Sequence, residues 1–268
     1  MNLGDSEELP NPISSLSPVG PPPLLPIPIV RDGILTFVGC LVVTFVLVII
    51  AIIAGIVTGA ITTEQGADFM PSAGWVVGFL FFGELPFLAS GIYLRRKYRN
   101  KGHVLEKLFG DGKTLLSILI GIGAGIGMAA IGTLHAMLAM KLFGRASTEV
   151  MDRVMQTLFF QKGRPDLVVE IVFTIAIMAP LCEEYFFRGA LFSSVRSTRK
   201  AWAGAIVSST LFAIAHFNPT MITYYLIFGL TMCWLLSKTK TMAAPIAAHM
   251  TVNTVACIAI LLSPPGGK

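Results

Sequence analysis

Residues 167–188 read LVVEIVFTIAIMAPLCEEYFFR. After Glu170 no charged side chain interrupts the run until Glu183 and Glu184, with Arg188 four residues further on. A run this apolar approaches the roughly 20 residues needed to cross a bilayer core. Inside lipid a backbone must satisfy its own polar groups, so such a run is read as helix. Ionisable side chains placed in it are costly and count as functional candidates by default.

The rest of the chain repeats the pattern. Further apolar runs occupy about 33–62, 74–94, 114–143, 201–217, 220–237 and 241–263, with Asn218-Pro219 as a tight turn between the fifth and sixth spans. The chain of 268 residues is 54% apolar and only 13% charged, with a mean hydropathy of +0.75. Soluble domains carry about 25% charged residues, so a larger core does not account for the shortfall. The expectation is an all-α, polytopic bundle of about seven transmembrane helices. Within the third run Gly121, Gly123, Gly125 and Gly127 form two overlapping GxxxG spacings, a face suited to close helix packing.

The division expected along the chain is a Pro-rich disordered tail over 1–30, helices and a weakly amphipathic segment (about 146–163) within 31–166, a core over 167–263, and a short tail at 264–268. Lys and Arg concentrate at 95–113, 196–200 and 238–240 and are missing from 62–73, which favours a cytoplasmic N-terminus and a last helix ending outside. Lys141, Arg145, Arg153, Lys162 and Arg164 run against that pattern. The formal charge of +5 reflects such loops, and without stacking platforms or a recognition helix no nucleic acid is expected. Cys40, Cys182, Cys233 and Cys257 all lie in apolar runs with no CxxC spacing, so neither disulfide framework nor zinc ribbon is signalled. Residues 1–30 lack a secretory signal pattern, and the sequence before Cys40 is too short in apolar residues for a lipoprotein box. The plasma membrane is the expected location.

Three clusters carry chemistry. On a helix Glu184 and Arg188 share a face and suit an ion pair, while Glu183 is turned about 100° away and stays available. Phe212 and His216 are again four apart, as are His249 and Asn253. Glu183 and His216 are nearly equidistant from a turn at Arg199–Lys200, and His249 and Asn253 lie roughly 14–20 Å inward from the turn at Lys238–Lys240. A carboxylate, two imidazoles and a carboxamide can therefore face one cavity. Packing alone does not require that set.

Written as EExxxR, FxxxH and HxxxN, these clusters resemble the motifs of the CPBP family, the type II CAAX prenyl proteases and their bacterial relatives. The resemblance covers about 167–263. It implies an intramembrane endopeptidase in which Glu183 activates water with help from His216. By the same carry-over His249 and Asn253 stabilise the oxyanion, and Glu184, Arg188 and Phe212 support the site. The implied partners are the lipid bilayer and a protein or peptide substrate; no cofactor and no metal are expected. A desolvated carboxyl can serve as general base near neutral pH, and fixed donors in a low-dielectric cavity stabilise oxyanion charge.

A zinc peptidase is the nearest alternative, since Glu and two His can ligate metal, but no HExxH occurs. Ser208, Ser209 and Cys182 show no nucleophile pattern. A non-catalytic scaffold or bacteriocin-immunity protein is the alternative from another class, and no internal repeat suggests a transporter. Glu84 beside Pro86 is a candidate substrate-contacting or cavity-lining residue, His135 a packing or helix–helix hydrogen-bonding residue, and Glu170 a helix N-terminal carboxylate. Substrate identity and oligomeric state are not legible.

Overall fold

Each of the seven apolar runs forms a helix over most of its described residues in the computed structural model, which describes residues 27–57, 73–103, 105–109, 113–144, 159–160, 165–196 and 201–262. The helices are α1 (Ile27–Val57), α2 (Ala73–Arg99), α3 (Thr114–Phe143), α4 (165–196), α5 (Ala201–Ala215), α6 (Ile222–Thr239) and α7 (Ala243–Leu261). Among the described residues there is no β-strand, only one isolated bridge between Lys107 and Thr241. The chain is an all-α membrane bundle. Among the described residues four stretches, 29–47 in α1, α3, 219–239 and α7, are long and apolar enough to cross a membrane, and α5 is a shorter apolar helix.

The outward faces are those of a protein solvated by lipid. Phe45 is 65% exposed and Leu134 67%, while Arg188 and Glu184 are fully buried. A soluble bundle places these classes the other way round. The centre is aromatic: Phe87, Phe186, Phe187, Phe212 and Phe228 form one buried cluster. Phe212 stacks on Phe228 at 5.5 Å and meets Phe187 edge-on at 5.3 Å.

Helix α1 begins within the stretch expected to be tail. Residues 27–30 form its first turn, where Pro28 lacks only an N–H that has no partner there anyway, and Ile29 is buried. The remainder of that tail, residues 1–26, lies outside the described residues. So do 58–72, which include the end of the first apolar run, 146–158 and 161–163 of the amphipathic segment, 197–200 and the C-terminal 263–268. The turn between α5 and α6 forms at Asn218, whose side chain accepts from the Met221 N–H ahead of a short 3-10 turn, Pro219–Met221. Lys240 closes α6 in the left-handed conformation at φ 59°.

At the basic end, polar clamps set helix register. Asp32 of α1 accepts from Tyr98 at 2.6 Å and pairs with Lys97 at 2.7 Å. Arg95 donates to the carbonyls of Gly189 and Glu106, and the Glu106 carboxylate pairs with Arg196. The segment after α2 docks on the α6–α7 turn through Thr241 Oγ1, which donates to Leu108 O at 2.8 Å.

Of the four glycines singled out in α3, two make the close approach. A Cβ on Gly121 would collide with the carbonyl oxygen of Ala244, and one on Gly125 would lie 2.5 Å from that of Ala248. Gly123 and Gly127 face open space. Without side chains at 121 and 125 the backbone of α7 seats directly on α3, next to His249. Gly125→Val should therefore loosen the α3–α7 seam by about 1–3 kcal/mol. The expected result is a lower thermal midpoint in detergent for Gly125→Val and an unchanged one for Gly123→Ala.

Candidate active site

The local winding of α4 shapes the site. Between α-helical segments, Thr174–Met178 and Tyr185–Phe192 wind as π-helix. Such windings are rare and concentrate at functional sites. The first has a legible physical cause. The Ala179 N–H reaches back five residues to Thr174 O, so the next donor in sequence would serve Ile175 O. That donor position is Pro180, which has no N–H. Asn253 of α7 supplies the missing group, its Nδ2 donating to Ile175 O at 2.8 Å. A hydroxyl on α5 supports the second winding, as Ser208 Oγ donates to Phe187 O at 2.8 Å.

Glu184 is the hub. Its Oε1 takes Arg188 Nη1 at 3.0 Å and His249 Nδ1 at 2.9 Å, with both the Glu184 and Arg188 side chains wholly buried. The i, i+4 ion pair read from the sequence is thus present, and it extends across helices to the imidazole. Arg188 is also held over the Phe212 ring, 4.4 Å from its centroid. With Nδ1 of His249 hydrogen-bonded to a carboxylate, its Nε2 is turned towards Glu183, 3.9 Å from Oε2. Glu183 Oε2 has no hydrogen-bond partner among the described residues. Glu184 Oε2 is likewise without a partner among the described residues, but its side chain is wholly buried whereas that of Glu183 is 16% exposed, so one glutamate is engaged by the fold and its neighbour stays within reach of a reactant.

His216 lies at the last turn of α5. Its Nδ1 meets the Phe212 carbonyl at 2.8 Å, an arrangement that puts the proton on Nδ1 and the acceptor lone pair on Nε2. Its ring packs on Phe212 with centroids 4.5 Å apart. Phe212 also touches His249, at 5.8 Å, so the two imidazoles flank one phenyl ring. Asn253, expected to share the cavity with His249, uses one amide hydrogen on Ile175. A carboxamide has a second, so this bond does not exhaust it.

Two further residues belong to this neighbourhood. Tyr225 of α6 stacks on His216 with centroids 3.9 Å apart and stands within Coulombic reach of Glu183. No motif marks it, because tyrosine in an apolar run reads as packing. Glu84 of α2, singled out from its place beside Pro86, is also within Coulombic reach of Glu183, and its Oε2 has no partner among the described residues. His135 bonds Thr223 at 2.6 Å between α3 and α6, the helix–helix contact expected of it. Glu170 is exposed in the second turn of α4. Among the described residues no group of three or more His, Cys, Asp or Glu side chains is arranged to hold a metal ion.

Fold and site together define a helical membrane protein with a buried glutamate–histidine–arginine centre. Residues 165–255 match the family model described as Type II CAAX prenyl endopeptidase Rce1-like, bearing out the likeness carried by the three motifs. The chain is 37% identical over 107 residues to "Membrane-embedded CAAX protease MroQ" of Staphylococcus aureus, covering 36% of this chain and 42% of that protein. It is 28% identical over 88 residues to "Putative membrane peptidase YdiL" of Bacillus subtilis, covering 33% and 36%. A third relative, "Uncharacterized 24.3 kDa protein" of Escherichia coli, is 31% identical over 119 residues, covering 42% and 54%. The matched stretch thus spans about half or less of each of these relatives. No solved structure matches.

Two outcomes follow from this geometry. Arg188→Ala should destabilise the folded protein by about 3–5 kcal/mol, because Glu184 would keep a buried charge without its guanidinium; thermal unfolding in detergent reads this directly. Asn253→Ala should destabilise by about 1–3 kcal/mol through the unsatisfied Ile175 carbonyl. Adding Pro180→Ala, which restores a backbone N–H, should recover part of that loss in a double-mutant cycle.

Proposed function

We propose that this protein is an intramembrane endopeptidase that cleaves membrane-associated proteins or peptides by a water molecule activated at Glu183. The observation that carries the reading is the division of labour between adjacent glutamates. Glu184 is wholly buried and tied through Oε1 to Arg188 and His249, whereas Glu183 faces the same imidazole with an unpartnered oxygen and a side chain that is still 16% exposed.

In this mechanism Glu183 takes a proton from water as the oxygen attacks the scissile carbonyl. His216 offers Nε2 as a second acceptor that holds the water in place. His249 stabilises the oxyanion from Nε2 in its imidazolium form. The hydrogen bond from Nδ1 to the Glu184 carboxylate fixes the ring, as orienting carboxylates do for catalytic histidines. The second amide hydrogen of Asn253 is available for the same oxyanion. Proton return to the leaving nitrogen completes hydrolysis.

The substrate class follows from location. A site enclosed by membrane helices meets chains presented at or in the bilayer, and water must reach it through a cavity. C-terminal processing of lipidated or sorted proteins at the plasma membrane fits this setting. The names of the staphylococcal and Bacillus relatives, "Membrane-embedded CAAX protease" and "Putative membrane peptidase", support peptide-bond cleavage.

Purified protein tested on a peptide library should cleave, and Glu183→Gln should lower turnover by at least about 10²-fold without altering thermal stability. Activity should survive a strong zinc chelator. Cleavage retained by Glu183→Gln would overturn the mechanism, and chelator-sensitive cleavage would transfer the reaction to a metal.

A further inference from the structure

His216 is held by one polar tie. Its Nδ1 donates to Phe212 O at 2.8 Å, and a single hydrogen bond leaves an imidazole free to rock about its axis. Rocking swings Nε2, the atom that must hold the attacking water. The Phe212 ring, tilted 50° to the imidazole with centroids 4.5 Å apart, braces it from one direction only.

Tyr225 covers a face of that ring. It stands in the first turn of α6, its centroid 3.9 Å from that of the imidazole and the two planes 28° apart. The Phe212 and Tyr225 centroids are 6.4 Å from each other, so the two rings bear on His216 from different directions. The register of α6 on α5 sets the contact. Tyr224 is turned to α3, where its hydroxyl donates to Met128 O at 3.3 Å, and Tyr225, about 100° further round the helix, is turned to α5. Phe228, three residues on and on the same face, stacks on Phe212. One residue further, a Cβ on Gly229 would lie 2.7 Å from Ser209 Cβ, so the two backbones close there. Residues 225, 228 and 229 of α6 thus meet 216, 212 and 209 of α5 in antiparallel order. This close seat holds the tyrosine against the imidazole through its ring.

We propose that Tyr225 is a positioning residue for His216: its stacked ring fixes the plane of the imidazole and so the direction of Nε2. The proposal rests on the glutamate mechanism and deepens it. A reacting group misplaced by about 1 Å can cost about 10²-fold in rate, so an imidazole that is merely tilted loses turnover without losing substrate binding. Leucine at 225 fills part of the volume but offers no flat face. Phenylalanine keeps the face and drops only the hydroxyl.

The test uses the full chain in detergent, with thermal unfolding to show that each variant is folded. The imidazole proton resonances of His216, assigned by their loss in His216→Gln, carry the ring-current shift of the aromatic face beside them. Tyr225→Phe should leave those resonances in place and Tyr225→Leu should move them. Resonances unmoved in Tyr225→Leu overturn the stack, with or without an identified substrate. With a peptide that wild type cleaves, Tyr225→Leu should lower kcat about 10–10²-fold and leave KM within about threefold. Tyr225→Phe should keep kcat within about threefold of wild type. Wild-type kcat in Tyr225→Leu, beside an inactive His216→Gln, overturns the positioning role and leaves the mechanism standing. A Tyr225→Phe protein as slow as Tyr225→Leu, with the His216 resonances in place, also overturns it, because the hydroxyl is then the acting group. A fully active His216→Gln overturns the part that the mechanism gives to His216, and this proposal with it. If Tyr225→Leu does not fold, Tyr225→Met carries the same test, and the same outcomes overturn the proposal.

Discussion

The Glu184 carboxylate, fully buried and shared between Arg188 on its own helix and His249 on α7, is the constraint on which the rest of this centre depends. In a low-dielectric interior no member of that set is tolerable alone: the carboxylate needs the guanidinium, and the imidazole takes its orientation from the carboxylate. The bond from α4 to α7 also fixes depth. His249 reaches Glu184 only because α7 lies close on α3, and it lies close because Gly121 and Gly125 present backbone where side chains would stand.

Polar geometry in the bundle follows from backbone that does not wind regularly. Pro180 withholds a donor, the chain around it relaxes into a π winding, and the freed carbonyl is met by a carboxamide from another helix. The consequence is a second tie between α4 and α7, on the other side of Glu183 from the Glu184–His249 bond. Between these ties Glu183 has neighbours but no committed partner for Oε2. The aromatic cluster around Phe212 does complementary work: one ring carries the Arg188 cation on a π-face and separates His216 from His249.

Much of this was readable in the linear sequence. Helical runs declare themselves by length and apolarity, since a bilayer admits no other open structure for them. The Glu184–Arg188 pair and the contact of Phe212 with His216 follow from i, i+4 spacing. What could not be read depends on neighbours distant in sequence. Nothing local distinguishes Gly121 and Gly125 from Gly123 and Gly127; only the approach of α7 does. Tyr225 looks like packing until His216 is found stacked on it. The π windings escape a periodicity argument because they differ from α-helix by one backbone partner per turn.

Hydrophobicity and residue spacing are properties of the chain alone, and they suffice to define a helical membrane protein and to mark the side chains too polar to be there for packing. That Glu184 holds His249, that Asn253 serves Ile175 and that Glu183 is left partly exposed emerges with the packing of the helices. Those outcomes hang on which helices touch, and contact in a bundle is settled by side-chain volume and donor–acceptor pairing across segments rather than within them.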